Sequence, residues 1–414
     1  MDRMPPKARM GRELPPTAGL PLTWGDYVRQ PGQSFAGGLG QWPGLSDPLV
    51  TCSGTAALVV VLKTLRQRRP DRNAVIIPAY NCPLLPLATR LVPGLRAIVC
   101  DTVCSGIDLD PQQLDSLCDA RTLAVIPTHL GGRVADVQAA RAVAARCGAF
   151  VIEDAAQALG AFAEDRQSVG LGGDAGFFSL AAGKGLTTYE GGILVSRDAQ
   201  LRAELAAVAR ETLRPHLGWT LRRNLELLGY GLFYTPSGLR LAYGHNLRKK
   251  LAAGDEAAAV GDVFTLADMP LHSLDALRLR VAANGLARLP AHLEEGRRLA
   301  GHRRGQLAAL PGVAVIGDRL GTEGIWPFFM VLMPGKEQRD RALHALWRTG
   351  NGVSKLFVHA LPDYAFLAPI LAGHDLPDCP NARDLADRML TVSNTPWLDE
   401  ATFTLIMHTL RSSL

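Results

Sequence analysis

Lysine is scarce in this sequence, although positive charge is not. Of the 44 basic residues among 414, only seven are lysine and the others are arginine. The seven are Lys7, Lys63, Lys184, Lys249, Lys250, Lys336 and Lys355. Because the chain uses arginine wherever a positive charge suffices, a lysine beside a buried, apolar stretch is expected to have a chemical role that arginine cannot fill.

Further absences limit the class of protein. No apolar run approaches the ~20 residues of a membrane-spanning helix, and the charged, proline-rich stretch Met1–Pro16 lacks the apolar core of a secretion signal. The seven cysteines form no Cys-x-x-Cys pair, which predicts reduced thiols and a cytoplasmic protein. The net charge of +5 is small, and the short cluster Arg248–Lys250 does not indicate nucleic-acid binding. We predict no metal site.

Strand and helix patterns alternate between about residues 50 and 200. Apolar runs predict buried strands at Asn73–Pro78, Ala97–Asp101, Leu123–Pro127, Ala149–Glu153, Phe177–Ser179 and Gly192–Ser196. Helical spacing predicts helices at Ser53–Gln67, Pro111–Cys118 and Ala135–Cys147. This alternation predicts an α/β domain with a largely parallel sheet, whose ligands bind at the carboxyl ends of the strands.

The rest of the chain predicts a second, smaller α+β domain. Its predicted elements are a long helix at Leu277–Arg304, strands at Gly312–Gly317 and Ile325–Met333, and helices at Glu337–Thr349, Ala382–Met389 and Asp399–Leu410. We therefore divide the chain into an N-terminal segment (1–44), a large domain (45–260) and a small C-terminal domain (261–414).

Two candidate ligand positions follow from this pattern. Cys52–Leu58 places small polar residues and a glycine before a clean helix, and the free N–H groups of such a helix start bind phosphates. Taken alone, the segment is more simply interpreted as an ordinary N-cap. Asp154 ends a predicted buried strand, where a carboxylate either holds a cationic ring nitrogen or caps the following helix.

Lys184 is the third candidate. It is the only lysine between Lys63 and Lys249, it is flanked by Gly183 and Gly185, and an apolar run precedes it. A lysine that forms a Schiff base needs room, a lowered pKa and a close backbone approach, which glycines permit. The alternative is a lysine on a flexible loop. Together, the helix start, the aspartate and the lysine are the fixtures of a pyridoxal 5'-phosphate site.

The order of these features resembles the DegT/DnrJ/EryC1/StrS aminotransferases, which are fold-type-I pyridoxal-phosphate enzymes often called sugar aminotransferases. The resembling segments are Ser53–Leu58 (SGTAAL), Val75–Tyr80 (VIIPAY), Pro127–Gly132 (PTHLGG), Val151–Gln157 (VIEDAAQ), Gly173–Lys184 (GDAGFFSLAAGK), Glu190–Val195 (EGGILV) and Cys379–Leu398. The resemblance implies a fold-type-I transferase, with a large mixed or parallel sheet and a smaller C-terminal domain.

The resemblance also implies a role for individual residues. Lys184 would form the Schiff base and move the proton, Asp154 would pair with the ring nitrogen, and Gln157 would lie near the ring hydroxyl. The phosphate would be bound by Gly54, Thr55 and Ser179. His129, in the PTHLGG segment, and Lys355, which follows a helix in turn-forming sequence, are candidate substrate contacts; a solvated Lys355 is the alternative.

The sequence departs from the family at three places. At the position where the family has an aromatic residue stacked on the cofactor ring, this chain has Cys82, with Tyr80 as a possible substitute. The family's Asn-x-Arg element, which reaches the neighbouring subunit's phosphate, is missing from Thr265–His272. The usual N-terminal substrate segment is not recognisable in Leu14–Trp42. These departures predict a retained cofactor site beside a rebuilt substrate site.

Residues 208–256 combine an apolar cluster with basic flanks. Such a stretch fits the surface of an anionic membrane, an apolar substrate pocket or a dimer arm. The favoured interpretation is helices in the core or at a subunit contact, with a solvated basic rim. Peripheral membrane contact is the less favoured alternative.

The sequence thus predicts a pyridoxal-phosphate-dependent aminotransferase that is a cytoplasmic homodimer. Its amino-acid donor would be glutamate, and its carbonyl acceptor a nucleotide-linked keto-sugar. Three alternatives stay open: another pyridoxal-phosphate reaction, a non-sugar carbonyl substrate, which includes apolar ones, and a non-catalytic sensor or binding protein on the same scaffold.

Overall fold

The computed structural model describes residues 11–371 and 376–414. Residues 1–10 of the predicted N-terminal segment therefore lie outside the described residues. The described chain forms a seven-stranded sheet within residues 49–195 and a four-stranded sheet within residues 314–393. A helix of 33 residues, Ala276–Ala308, lies between the two sheets in sequence.

The large sheet has the order β1-β7-β6-β5-β4-β2-β3. Its strands are β1 (Leu49–Thr51), β2 (Ala74–Pro78), β3 (Arg96–Cys100), β4 (Thr122–Val125), β5 (Phe150–Asp154), β6 (Ala175–Ser179) and β7 (Gly192–Val195). The strands β3, β2, β4, β5 and β6 are parallel, whereas β7 pairs antiparallel with both β6 and β1. The predicted α/β fold with a largely parallel sheet is confirmed.

Helices cover this sheet and continue beyond it. They are α1 (Trp24–Val28), α2 (Phe35–Leu39), α3 (Gly54–Arg68), α4 (Leu84–Arg90), α5 (Pro111–Leu117), α6 (Val137–Cys147), α7 (Ala199–Thr212), α8 (Leu217–Phe233), α9 (Pro236–Leu239), α10 (His245–Ala252) and α11 (Glu256–Val260). A π-helical turn, Arg240–Gly244, joins α9 to α10. The long run of buried residues in α3, from Ala56 to Leu62, explains why this helix packs within the core.

The small sheet is antiparallel, in the order β10-β11-β9-β8. Its strands are β8 (Ala314–Val315), β9 (Phe328–Leu332), β10 (Val353–Ser354) and β11 (Met389–Ser393). The helices of this part are α12 (Ala276–Ala308), α13 (Lys336–Leu346), α14 (Ala368–Leu371), α15 (Pro380–Arg388) and α16 (Glu400–Ser412). The helix predicted to end at Met389 ends at Arg388, because Met389 is already the first residue of β11.

Part of the C-terminal region packs on the large sheet. The Leu361 N–H donates to the Ala79 carbonyl at 2.8 Å, and the Asn381 and Ala382 N–H groups donate to Asp101 after β3. The predicted domain boundary at residues 260 and 261 stays a prediction. In residues 11–371 and 376–414, we find no helix that combines the length and the apolar character needed to cross a bilayer.

Candidate active site

Asp154 and Lys184 lie near each other at the carboxyl edge of the large sheet. Asp154 is the last residue of β5 and is buried, and one of its carboxylate oxygens accepts from the Ala156 N–H at 3.0 Å. Burial raises the pKa of Asp154, although the Ala156 N–H and the charge of Lys184 oppose the shift. Burial lowers the pKa of Lys184, against the opposing influence of Cys82 and Asp154. The lysine therefore has a larger neutral fraction than a solvated lysine.

A tight turn carries Lys184. Gly183 has a positive φ of 80°, a backbone conformation that favours glycine, and the Lys184 N–H donates to the Ala181 carbonyl at 3.1 Å. The Thr188 N–H donates to the Leu180 carbonyl at 3.0 Å and closes the loop from the other side. The two glycines that flank Lys184 thus belong to a defined turn rather than to an unstructured loop.

The start of α3 lies beside the end of β6. Ser53 caps the helix by accepting the Ala56 N–H at 3.0 Å, so the N-cap interpretation of this serine is correct. A Cβ atom added to Gly54 would lie 3.1 Å from the Cβ of Ser179, which is the last residue of β6. The N–H groups of Gly54 and Thr55 belong to the first helical turn, so they have no acceptor within the helix. Helix start and serine together form a cradle of donors that suits a phosphate.

Gln157 is held beside this edge by the turn that follows β4. Its side-chain oxygen accepts from the Gly131 N–H at 2.7 Å, which leaves its amide NH2 group as a donor. Gly131 and Gly132 both have positive φ, at 59° and 74°, so the two glycines of the PTHLGG segment are needed for this turn.

His129 is buried, and both of its ring nitrogens are engaged. Nδ1 accepts from the Ala135 N–H at 3.0 Å, so Nε2 carries the proton that bonds Glu153 at 2.8 Å. Burial would raise the pKa of Glu153, but bonds from His129, Gly170 and Gly173 bring it below its ordinary value. The structure does not support a direct substrate contact by His129, because it leaves no ring nitrogen for one. The ring instead fixes the strand ends beside Asp154.

Cys82 and Tyr80 have different surroundings. Cys82 lies near enough to Lys184 and Asp154 for the charges to interact, and burial raises the pKa of its thiol to about 12, so it is neutral. The Tyr80 hydroxyl donates to the Phe357 carbonyl at 3.3 Å, and the two rings meet edge to face. Tyr80 is thus occupied by a contact with the C-terminal region, whereas Cys82 faces the site.

Lys355 lies in a separate cavity. Its ammonium group is nearly buried and forms an ion pair with Glu256 at 2.5 Å. The cavity has a volume of about 410 Å³, and its lining includes neither Lys184 nor Asp154. Lys355 is not the solvated lysine of the alternative interpretation, but an acidic substrate would have to displace Glu256 to reach it.

Two further groups were not predicted from the sequence. Thr17–Leu20 lies against the Lys184 turn and bonds it through the Thr17 hydroxyl and the Leu20 N–H, contacts that have no sequence signature. Asp262 accepts from the Tyr364 hydroxyl at 2.5 Å and from the Val358 N–H at 2.9 Å. Burial raises the pKa of Asp262 to about 6. The charge of Asp262 in turn raises the pKa of Cys82.

The fold and this edge define a class of protein, the fold-type-I pyridoxal-phosphate-dependent transferases. The structure of DesI, crystallised in the presence of its TDP-sugar product, superposes with a TM-score of 0.73 over 98% of this chain and 94% of that chain, at 22% identity. At that identity, the similarity establishes the fold, and the predicted fold class is confirmed.

The sequence comparison is more specific. Residues 22–228 match the DegT/DnrJ/EryC1/StrS aminotransferase family, and the chain belongs to this family. The predicted resemblance is therefore confirmed.

Individual relatives match over different lengths. The L-glutamine:2-deoxy-scyllo-inosose aminotransferase of Streptomyces lividus is 34% identical over 40% of this chain and 38% of the relative, so the chain spans well under half of that protein. The dTDP-3-amino-3,4,6-trideoxy-alpha-D-glucose transaminase of Streptomyces venezuelae is 27% identical over 84% of this chain and 77% of the relative.

Proposed function

We propose that this protein is a pyridoxal-phosphate-dependent aminotransferase that moves an amino group from an amino acid to a nucleotide-linked keto-sugar. The observation that carries the proposal is the meeting of Lys184, Asp154 and the Gly54 helix start at one sheet edge, in a chain of this family. The names of the relatives, which include a dTDP-sugar transaminase, support a sugar acceptor. Glutamate is the predicted donor, and the name of the Streptomyces lividus relative adds glutamine to the candidates.

The residues at this edge fit the cofactor. The Gly54 and Thr55 N–H groups and the Ser179 hydroxyl would bind its phosphate, and the buried Asp154 carboxylate would hold its protonated ring nitrogen. Gln157 would lie on the side of the ring hydroxyl. When bound, the cofactor supplies an electron sink for the carbon that carries the amino group.

The chain's own residues would provide the remaining chemistry. Because burial lowers the pKa of Lys184, its neutral amine is available to bond a carbonyl and to accept a proton from the donor's α-carbon. The negative charge of Asp154 favours a cationic partner in a site that water reaches poorly. Cys82 would lie against the ring as a neutral thiol, where it adds a polarisable contact without a charge.

We also propose a cytoplasmic homodimer. Support comes from α8, whose Leu217, Leu221, Leu225 and Leu232 are exposed by 88%, 64%, 60% and 56%. Their spacing places them on one face of the helix. Trp24 and Val28 on the adjoining α1 are also exposed. A second copy of the chain that covers this patch would remove a large apolar surface from water.

Reduction with borohydride tests the cofactor assignment. The purified protein, loaded with pyridoxal phosphate, should show a visible absorbance band that borohydride removes while it fixes the cofactor on the peptide that contains Lys184. Lys184→Arg should lose both signals, because arginine keeps the charge but cannot form a Schiff base. Lys63→Arg is the matched control, because Lys63 lies on α3 and donates to the Thr212 hydroxyl, outside the proposed cofactor site. Labelling that persists in Lys184→Arg would refute the assignment.

A donor and acceptor screen tests the reaction. Glutamate or glutamine should convert the cofactor to its amino form, and a nucleotide-linked keto-sugar should restore the original spectrum. If only apolar aldehydes restore the original spectrum, the acceptor is a non-sugar carbonyl compound rather than a keto-sugar. A band that no amino donor converts would favour another reaction or a binding protein.

A further inference from the structure

The turn that carries Lys184 is held from outside the sheet by the segment Thr17–Leu20. The Thr17 hydroxyl donates to the Gly183 carbonyl at 2.6 Å, and the Leu20 N–H donates to the Gly185 carbonyl at 2.9 Å. Both neighbours of Lys184 are therefore bonded to the same short segment.

Gly19, between these two contacts, packs on Lys184 itself. A Cβ atom added to Gly19 would lie 3.0 Å from the Lys184 carbonyl oxygen and 3.0 Å from the hydroxyl of Tyr234. The absence of a side chain at Gly19 allows the segment to approach the turn closely.

Tyr234, the residue that ends α8, fastens this segment. Its buried hydroxyl accepts from the Gly19 N–H at 3.0 Å and donates to the Thr17 carbonyl at 3.2 Å. The ring is fixed in turn by stacking on Tyr230, with centroids 4.5 Å apart, and by contact with Trp397. The hydroxyl therefore gives a second partner to the Gly19 N–H and to the Thr17 carbonyl, which also bond each other at 3.1 Å.

The same helix also holds the far end of the loop that contains Lys184. Arg223 of α8 forms two hydrogen bonds to the carboxylate of Glu190, at 2.6 and 3.3 Å, just before β7. The helix α8 thus acts at both ends of the loop: directly at Glu190, and through Thr17 and Gly19 at Gly183–Gly185.

We propose that Tyr234 is a positioning residue for Lys184, which acts through the segment Thr17–Leu20. In this arrangement, α8 and the segment Thr17–Leu20 together form a clamp on the turn that carries Lys184. The inference rests on the proposed role of Lys184, but the clamp itself is a property of the whole chain with or without cofactor.

Hydrogen exchange and kinetics together test the clamp. Tyr234→Phe keeps the stacked ring but removes the hydroxyl, so the Gly19 N–H and the Thr17 carbonyl keep only the bond to each other and lose the link to α8. In the full chain without added cofactor, we expect about tenfold faster amide exchange in the peptide that covers 183–186. In the loaded enzyme, we expect a fall of about ten- to a hundredfold in kcat, with KM changed by less than about twofold.

Tyr27→Phe is the matched control. Tyr27 also donates a buried hydroxyl, to the Leu227 carbonyl of α8, but makes no bond to Thr17–Leu20. This variant should leave exchange at 183–186 and kcat unchanged. If Tyr234→Phe does not fold, Thr17→Val should reproduce the effect and Thr17→Ser should restore normal exchange and rate.

Equal exchange at 183–186 in Tyr234→Phe and Tyr27→Phe would overturn the proposal, and so would an unchanged kcat in Tyr234→Phe. A different experiment detects failure of the proposed function. If borohydride does not fix the cofactor on Lys184 of the wild-type protein, the cofactor assignment is refuted, whatever the exchange data show.

Discussion

The two sides of the Lys184 turn are held by contacts of very different range. On the sheet side, Gly54, Asp154 and Ser179 lie at the ends of neighbouring elements of one α/β unit. On the outer side, Thr17–Leu20 reaches the turn across more than 160 positions of the chain, and Tyr234 bonds this segment across more than 210. The sheet side provides charges and donors, whereas the outer side provides hydrogen bonds that hydroxyl groups and backbone N–H groups make with the backbone.

This difference assigns the groups that take part in the reaction to the sheet side and the contacts that fix the turn to the outer side. A carboxylate that burial disfavours costs the fold free energy, so substitutions on the sheet side should reduce the reaction without unfolding the protein. Substitutions on the outer side should instead change stability and the placement of Lys184. The predictions for Asp154 and Gly54 test the sheet side, and those for Asp262 and Leu221 test stability and assembly away from it.

The largest effect is expected for Asp154→Asn. Loss of the carboxylate should lower kcat about 10²–10³-fold, the usual loss when a buried electrostatic contact is removed. The unfolding midpoint of cofactor-free protein should be unchanged or higher, because burial raises the pKa of Asp154 and so disfavours its charge.

Asp174→Asn is the control for that substitution. Asp174 accepts the Val151 N–H at 2.7 Å at the opposite end of these strands; asparagine keeps an oxygen that can accept this bond, so the substitution should change neither stability nor the reaction by much. A destabilised but active Asp154→Asn protein would contradict the assignment of Asp154 to the reaction rather than to the stability of the fold.

Away from both sides of the turn, Asp262→Asn should change how stability depends on pH. The folded-state pKa of Asp262 is raised to about 6, so its proton stabilises the fold at low pH, and this stability is lost as the pH rises from about 4 to 6. Asparagine keeps an oxygen that can accept from Tyr364 and Val358 and carries no charge. Near neutral pH the variant should be more stable than wild type by about 2–3 kcal/mol.

Denaturant unfolding of both proteins at pH 4 and pH 7 measures this difference. The advantage of Asp262→Asn should disappear at pH 4, where the wild-type carboxyl is protonated. An equal difference at both pH values would show that packing, rather than titration, is responsible.

Gly54→Ala should weaken cofactor binding about tenfold, an effect of the size of one charge-assisted hydrogen bond. The added Cβ would lie 3.1 Å from the Cβ of Ser179, closer than an ordinary contact, so the helix start must shift away from the phosphate cradle. Titration of the apoprotein with pyridoxal phosphate measures the affinity. Gly296→Ala, in α12 with open space around its Cβ position, should bind normally.

The sheet side could be predicted from the sequence, because its signals are local. A strand end, a helix start and a glycine-flanked lysine each occupy a few consecutive residues, and parallel topology brings them to one edge. The outer side could not be predicted, because Thr17–Leu20 contacts the turn through one hydroxyl and one backbone N–H, which no local sequence pattern distinguishes. For the same reason, no substrate segment was recognisable in Leu14–Trp42.

Burial, too, could be misjudged from residue type alone. The PTHLGG segment makes His129 a candidate substrate contact, but its two ring nitrogens are satisfied inside the protein. The apolar residues of α8 were interpreted as core or subunit contact, and the chain alone leaves most of one face exposed. Periodicity shows that a face is apolar and does not show what covers it.

The smallest effect on the folded chain is expected for Leu221→Ser on α8. The side chain is 64% exposed, so its loss should change the stability of the single chain by less than about 0.5 kcal/mol. If a second copy covers this face, the same substitution should weaken the dimer, and light scattering across a range of concentrations should detect dissociation. Leu320→Ser is the control, because Leu320 is 97% exposed and lies outside α8. A dimer equally stable in both variants would place the subunit contact elsewhere, and wild-type binding to anionic vesicles that Leu221→Ser abolishes would assign the face to a membrane.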